Sequence, residues 1–195
     1  MITPRSSAEQ QFGRTPRRVF SAVFLVALAM FCMGAEPVTP LKVAVTPVPS
    51  RFDGFLQQTG NIRVVFSDGH SETWTENGNA ILPKMSSRGD IGWVELDKTQ
   101  VDVERKNRRG RDKVVIRLYN GIRREFVMRA DIPFISNWEF AEEEAAISVE
   151  VSGYHGPRSY FEYDLGSGEL KNEINGYVPP DALPAWARQV SAKNE

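Results

Sequence analysis

Two histidines, a basic run and a triple glutamate are the residues of this chain whose types and spacing admit chemistry. His70 follows Asp68 by two positions, and His155 precedes Asp164 by nine. Each pair offers an imidazole with a carboxylate to orient it, the minimum for general-base work in a hydrolase-like site. Such a site has to be assembled from separated loops. The chain has no G-x-S-x-G elbow, and Gly153-Tyr154-His155-Gly156-Pro157 does not lead from a strand into a helix. Metal binding needs clustered ligands, whereas the two histidines stand alone in sequence, so no metal ligand set, cofactor or catalytic residue is assigned. Asp68-Gly69-His70 reads first as turn chemistry, since Asp and Gly both suit a tight reversal.

The basic run spans Arg105 to Lys113 and includes Arg105, Arg108, Arg109 and Arg111. It is the candidate anion-binding element, suited to lipid headgroups or acidic glycans, with a solvated loop as the plainer alternative. Nucleic acid is a poor match because no aromatic residues interleave with the arginines as stacking platforms. Glu142, Glu143 and Glu144 lack the alternating Asp/Asn spacing and the glycine of a calcium loop, and read as a solvated hairpin tip. Trp74, Trp93, Trp138 and Trp186 lie in or beside predicted strands or the terminal helix, where packing is their commonest use; a sugar-stacking platform is the alternative.

These residues belong to a chain of 195 amino acids, 41% of them apolar, which is enough for one ordinary core. Arg5, Arg14, Arg17 and Arg18 precede an uncharged run from Val19 to Ala35, and this arrangement predicts a secretory signal over residues 1–35 cleaved after Ala35. Met33 is large where a small residue is preferred, which keeps an uncleaved membrane anchor as the alternative. The predicted location is periplasmic or secreted. Cys32, the only cysteine, falls in that segment, so no disulfide can staple the remainder. Charge is balanced overall, with 24 basic and 25 acidic residues, but uneven along the chain. Arg105 to Arg129 is basic and Glu139 to Glu195 acidic.

The elements that must position these side chains are strands. Pro37, Pro40, Pro47 and Pro49 make residues 36–60 an extended leader with room for a short edge strand around Leu41, Val43 and Val45. Residues 61–195 form the predicted single β-rich domain. Strands are expected at 62–66, 72–75, 92–96, 114–119, 122–128, 137–140, 146–151, 159–165 and 169–174, punctuated by Asp-Gly and Asn-Gly turns. Loop length sets the register of the central hairpin. A two-residue Asn120-Gly121 loop mixes polar and apolar residues on both faces, whereas a three-residue loop with Gly121 left-handed aligns Val114 with Phe126 and Leu118 with Ile122. The three-residue loop is preferred, with Arg117, Arg123 and Glu125 on the wet side. After Pro179-Pro180, Asp181 is the expected cap of a short helix through Gln189, with Pro184 in its first turn and Trp186 and Val190 on its docking face.

Five ordered segments carry a resemblance: VVFSDGHSETW at 64–74, PKMSSRGDIGWV at 83–94, NWEF at 137–140, GYHGPRSYFEYDLGSGEL at 153–170 and LPAWA at 183–187. Together they resemble a group of exported bacterial proteins of unknown function, and singly they are similar to blade segments of WD40-like propellers. The resemblance implies no established activity and transfers no catalytic residue. Four similar blades are absent, so the expected fold is all-β: an antiparallel β-sandwich, or a small, partly open propeller-like stack of hairpins, with an N-terminal signal helix and a short C-terminal helix. The expected function is a non-catalytic binding or scaffold module of the bacterial cell envelope with an anionic partner; the alternative is the hydrolase-like enzyme built on His155/Asp164 or His70/Asp68.

Overall fold

The structure, a computed structural model, describes residues 37–48, 59–97, 112–128, 134–141, 143–152 and 157–191. From Val38 onward they belong to one compact unit. The predicted signal helix lies outside the described residues.

Two antiparallel sheets pack face to face in a sandwich-like arrangement. The larger holds β1 (Pro40–Pro47), β2 (Gly60–Phe66), β3 (Ser71–Thr73), β4 (Ala80–Met85), β5 (Ile91–Glu95), β6 (Lys113–Arg117) and β7 (Arg123–Val127). Its order is β1-β2-β4-β5-β6-β7, with β3 paired to β2. The smaller holds β8 (Phe134–Ala141), β9 (Ala146–Ser152), β10 (Ser159–Asp164) and β11 (Leu170–Ile174) in the order β11-β10-β9-β8. Strand alternation sorts the side chains: Val94, Val114, Ile116 and Phe126 of the larger sheet meet Trp138, Ile147, Val149 and Phe161 of the smaller in the main core. On the other face of the larger sheet, Ile62, Val64, Ile91, Trp93 and Val115 form a second core, which Val43, Phe66 and Trp74 border.

The central hairpin has the three-residue loop. Val114 pairs with Phe126 and Ile116 with Arg124, the Leu118 N–H donates to the Ile122 carbonyl at 2.8 Å, and Gly121 is left-handed at φ 85°. Arg117, Arg123 and Glu125 are exposed.

β4 escaped the sequence reading because Pro83 interrupts its run. Its ladder with β5 is bulged between Ile81 and Lys84, where Leu82 adopts φ 50°. The bulge absorbs the proline's missing donor and inverts the side-chain alternation, so Ile81 enters the main core and Met85 packs on the second. A left-handed leucine is costly backbone. Trp138 holds it in place: its indole N–H donates to the Leu82 carbonyl at 2.9 Å, and its ring lies over Gly92, where a Cβ would stand 2.5 Å from the ring and closer still to Ile116.

The C-terminal helix begins later than its sequence signals indicate. Asp181 falls in a 3-10 turn, Pro180–Ala182, and α1 runs Ala185–Ser191. The Pro184 carbonyl accepts the first helical bonds from Ala187 and Arg188, so Pro184 stands just before the helix and Asp181 does not cap it. Leu183, Ala187 and Val190, with Trp186 beside them, pack on Tyr160 over the outer face of the smaller sheet. All four tryptophans take part in packing.

Candidate functional site

Arg105, Arg108, Arg109, Arg111 and His155 lie outside the described residues, so of the basic run only Lys113, ion-paired to Glu125 at 2.9 Å, is located at its end, and of the His155/Asp164 pair only Asp164. Asp164 ends β10, and its carboxylate accepts the Ser167 N–H at 2.6 Å. That bond, seconded by the Ser167 hydroxyl, holds its carboxyl below the ordinary carboxylate range. It closes the Leu165–Gly168 turn.

The structure does bring His70 and Asp68 together. In the β2–β3 turn, Gly69 takes φ 87°, and the Asp68 carboxylate accepts the His70 N–H at 3.1 Å and meets its ring Nδ1 at 2.5 Å. The ring's Nε2 faces Glu72 at 3.5 Å, and its face stacks on Phe66 with centroids 4.3 Å apart. The hydrogen bond to Asp68 raises the imidazole pKa above its ordinary value. Both nitrogens thus face carboxylates, and the two neighbouring serines are engaged elsewhere, Ser67 accepting the Thr39 N–H and Ser71 bonded by Arg63. This is an ion-paired turn with no hydroxyl set against the imidazole among the described residues, an arrangement that orients the loop.

Glu144 is not simply a solvated tip. Together with Glu143 it adopts left-handed backbone, φ 53° and 68°, and its carboxylate accepts from the Ser87 N–H at 2.5 Å and hydroxyl at 3.0 Å. Burial pushes that carboxyl up, but the bonds from Ser87 and the Arg88 charge outweigh it and hold it below the ordinary range. Arg88 also donates to the Glu144 carbonyl and reaches the buried Asp90, which accepts the Tyr119 N–H at 2.8 Å. Glu144 therefore ties the β8–β9 tip to the β4–β5 turn. The hollow between these tips, about 510 Å³, is lined by Arg88, Asp90 and Glu144, which are ion-paired to one another, and by Asp164, held by Ser167.

A larger groove, about 710 Å³, lies where α1 and the Tyr177 turn face the start of β10. Its volume is ordinary for small-ligand sites, about 300–1,000 Å³. Two guanidinium groups enter it. Arg158, half exposed, approaches the Glu150 carboxylate at 3.4 Å; Glu150 is only 1% exposed and accepts from the Ser136 hydroxyl at 2.7 Å. A carboxylate buried in the middle of β9 thus anchors an arginine at the groove. Arg188, on the exposed side of α1, donates to the Leu183 carbonyl at 2.8 Å and has no carboxylate partner among the described residues. Tyr177 stands 81% exposed at the mouth, the Tyr160 and Ser191 hydroxyls meet at 3.4 Å, and Asp181 supplies an acceptor.

The sheet face beneath α1 is unusually polar. Cross-strand pairing aligns Glu139, Ser148, Glu162 and Asn172 in one row and Asn137, Glu150 and Tyr160 in the next. Lys84 reaches Glu139 at 2.6 Å and Asn137 at 3.1 Å, and Asn172 donates to Glu162 at 2.5 Å. Among the described residues, no acidic or histidine group is arranged to hold a metal ion, and no helix is long and apolar enough to cross a membrane.

Sequence reasoning missed Arg158, Arg188, Tyr177 and Glu150 as a set. The available signal was Glu150, a charge between Val149 and Val151 in a core strand. No protein-family model matches the chain, nor does any curated protein or solved structure at a significant level.

Proposed function

We propose that this protein is a non-catalytic binding module of the bacterial cell envelope, exported by its N-terminal segment, and that its partner is anionic envelope material. The observation that carries this reading is the α1 groove, with two guanidinium groups held in place by a buried carboxylate and a main-chain carbonyl. Preorganised arginines lose little freedom on binding a carboxylate or phosphate, which is how a rigid β framework recognises a ligand without performing chemistry on it. The basic run around Arg105, Arg108, Arg109 and Arg111 adds a longer-range attraction for the same partner.

Sedimentation of the purified protein with isolated envelope fragments at low salt tests the reading. Wild-type protein is expected to pellet with the fragments. The fraction bound should fall several-fold when Arg158 and Arg188 are both replaced by glutamine, and again when Arg105, Arg108, Arg109 and Arg111 are replaced by serine. Unchanged binding in both variants overturns it.

A further inference from the structure

We infer that the α1 groove is a saccharide site, and that the sugar it takes carries a carboxylate. The inference rests on the binding-module reading and narrows it from anionic envelope material to one ligand chemistry. Three features of the groove separate this ligand from other anions.

The first is charge balance. Arg158 is offset by Glu150, and the Asp181 carboxylate lines the same groove as Arg188 without bonding to it, so the site has little net field with which to attract a polyphosphate chain or a bare anionic headgroup. What remains is directional: donors from two planar forks, an acceptor from Asp181, and the paired hydroxyls of Tyr160 and Ser191. Interleaved donors and acceptors are what a ring bearing several hydroxyls requires, and an ionised phosphodiester has no donor to offer Asp181.

The second is the aromatic at the mouth. Tyr177 is the most exposed of the large apolar side chains among the described residues, 81% open, although it lies beside Val178, which packs against α1. An open ring beside a polar groove offers its face to the C–H side of a sugar ring, an amphipathic contact of the kind tyrosine makes at interfaces.

The third is Arg188. It spends one N–H on the Leu183 carbonyl, and the remaining donors of its fork have no carboxylate partner among the described residues. A planar fork in that state matches a ligand carboxylate in bidentate geometry. Glu150 is a positioning residue here: it fixes Arg158 from beneath and does not itself enter the groove opening, being 1% exposed.

The test is isothermal titration of the purified protein, with melting temperature recorded for each variant. The probes are digalacturonate, the neutral digalactoside of the same linkage, and vesicles containing phosphatidylglycerol. Digalacturonate should bind at least about tenfold more tightly than the neutral disaccharide, since charge-assisted hydrogen bonds carry more than that ratio. Arg188→Gln should abolish the preference and Arg188→Lys restore part of it, while Tyr177→Ala should weaken both sugars alike. Glu150→Gln should weaken digalacturonate several-fold more than the neutral disaccharide, a selectivity that mere loosening of the fold cannot produce. Equal binding of the two sugars, or no sugar binding by wild-type protein, overturns the inference. Vesicle binding that depends on Arg158 and Arg188 without any sugar binding overturns the saccharide assignment and leaves the binding-module reading standing. Envelope binding indifferent to these two arginines and to Arg105, Arg108, Arg109 and Arg111 removes both.

Discussion

His70 illustrates how a residue with catalytic potential is committed to structure by its neighbours. Asp68 and Glu72 flank its two nitrogens, and Phe66 covers one face of the ring. Its pKa is raised, so the protonated form is favoured in the folded turn: this contribution is complete below the ordinary imidazole value and is lost as pH rises through the higher folded one. Asp68 is depressed by the same contact, so its share is present above the ordinary carboxylate value and lost as pH falls through the folded value. NMR titration is expected to place the His70 midpoint above the ordinary imidazole range, and Asp68→Asn should bring it down. A wild-type midpoint at or below the ordinary value contradicts the ion-paired turn. The Asp68-Gly69-His70 turn was legible in sequence because its residue types each have one local use. Glu72 as the second partner was not, since it approaches only once β3 has paired with β2.

Among the elements, β4 is the one whose backbone is most constrained by its surroundings. Leu82 keeps its left-handed conformation because Trp138 binds its carbonyl, and Trp138 fits because position 92 has no side chain. Gly92→Ala forces a methyl into that contact and should lower stability by about 1–3 kcal/mol, the usual cost of overfilling a core, measured by urea unfolding. An unchanged midpoint would show that the indole can shift without loss. The register of β6 against β7 was readable to the residue, because only one loop length gives a consistent apolar face, while their ends differ by one or two positions from the expected 114–119 and 122–128. β4 was not readable, since a bulge and a proline erase the period of two that identifies a strand. The start of α1 was displaced for a similar local reason: Pro184 and Asp181 both signal a helix start, and Pro184 lies next to the first helical residue.

At the scale of the whole molecule, α1 closes the sandwich on its polar side. Leu183 is 2% exposed between the helix and Tyr160. Leu183→Ala should cost about 2–5 kcal/mol, the range for a large-to-small change in a core. The loss should appear in hydrogen exchange as reduced protection of α1 and β9 before the larger sheet is affected. Uniform loss of protection would mean that the two sheets do not open separately. The all-β sandwich was legible because strand patterns and turn residues are local signals. The α1 groove was not, because Arg158, Tyr177 and Arg188 are far apart in the chain and meet only when the helix folds back over β9 and β10. Likewise the polar side of β9 reads in sequence as a solvent face, and only the tertiary fold covers it.

The strand order carries one more consequence. Among the described residues every ladder except β2 with β4 joins strands adjacent in the chain. Assembly can therefore advance hairpin by hairpin, closing mostly short loops and sparing the chain the slow search that distant pairings impose on many β proteins. Refolding should lie toward the rapid end for β-rich domains, with the later docking of one sheet on the other as its slowest event.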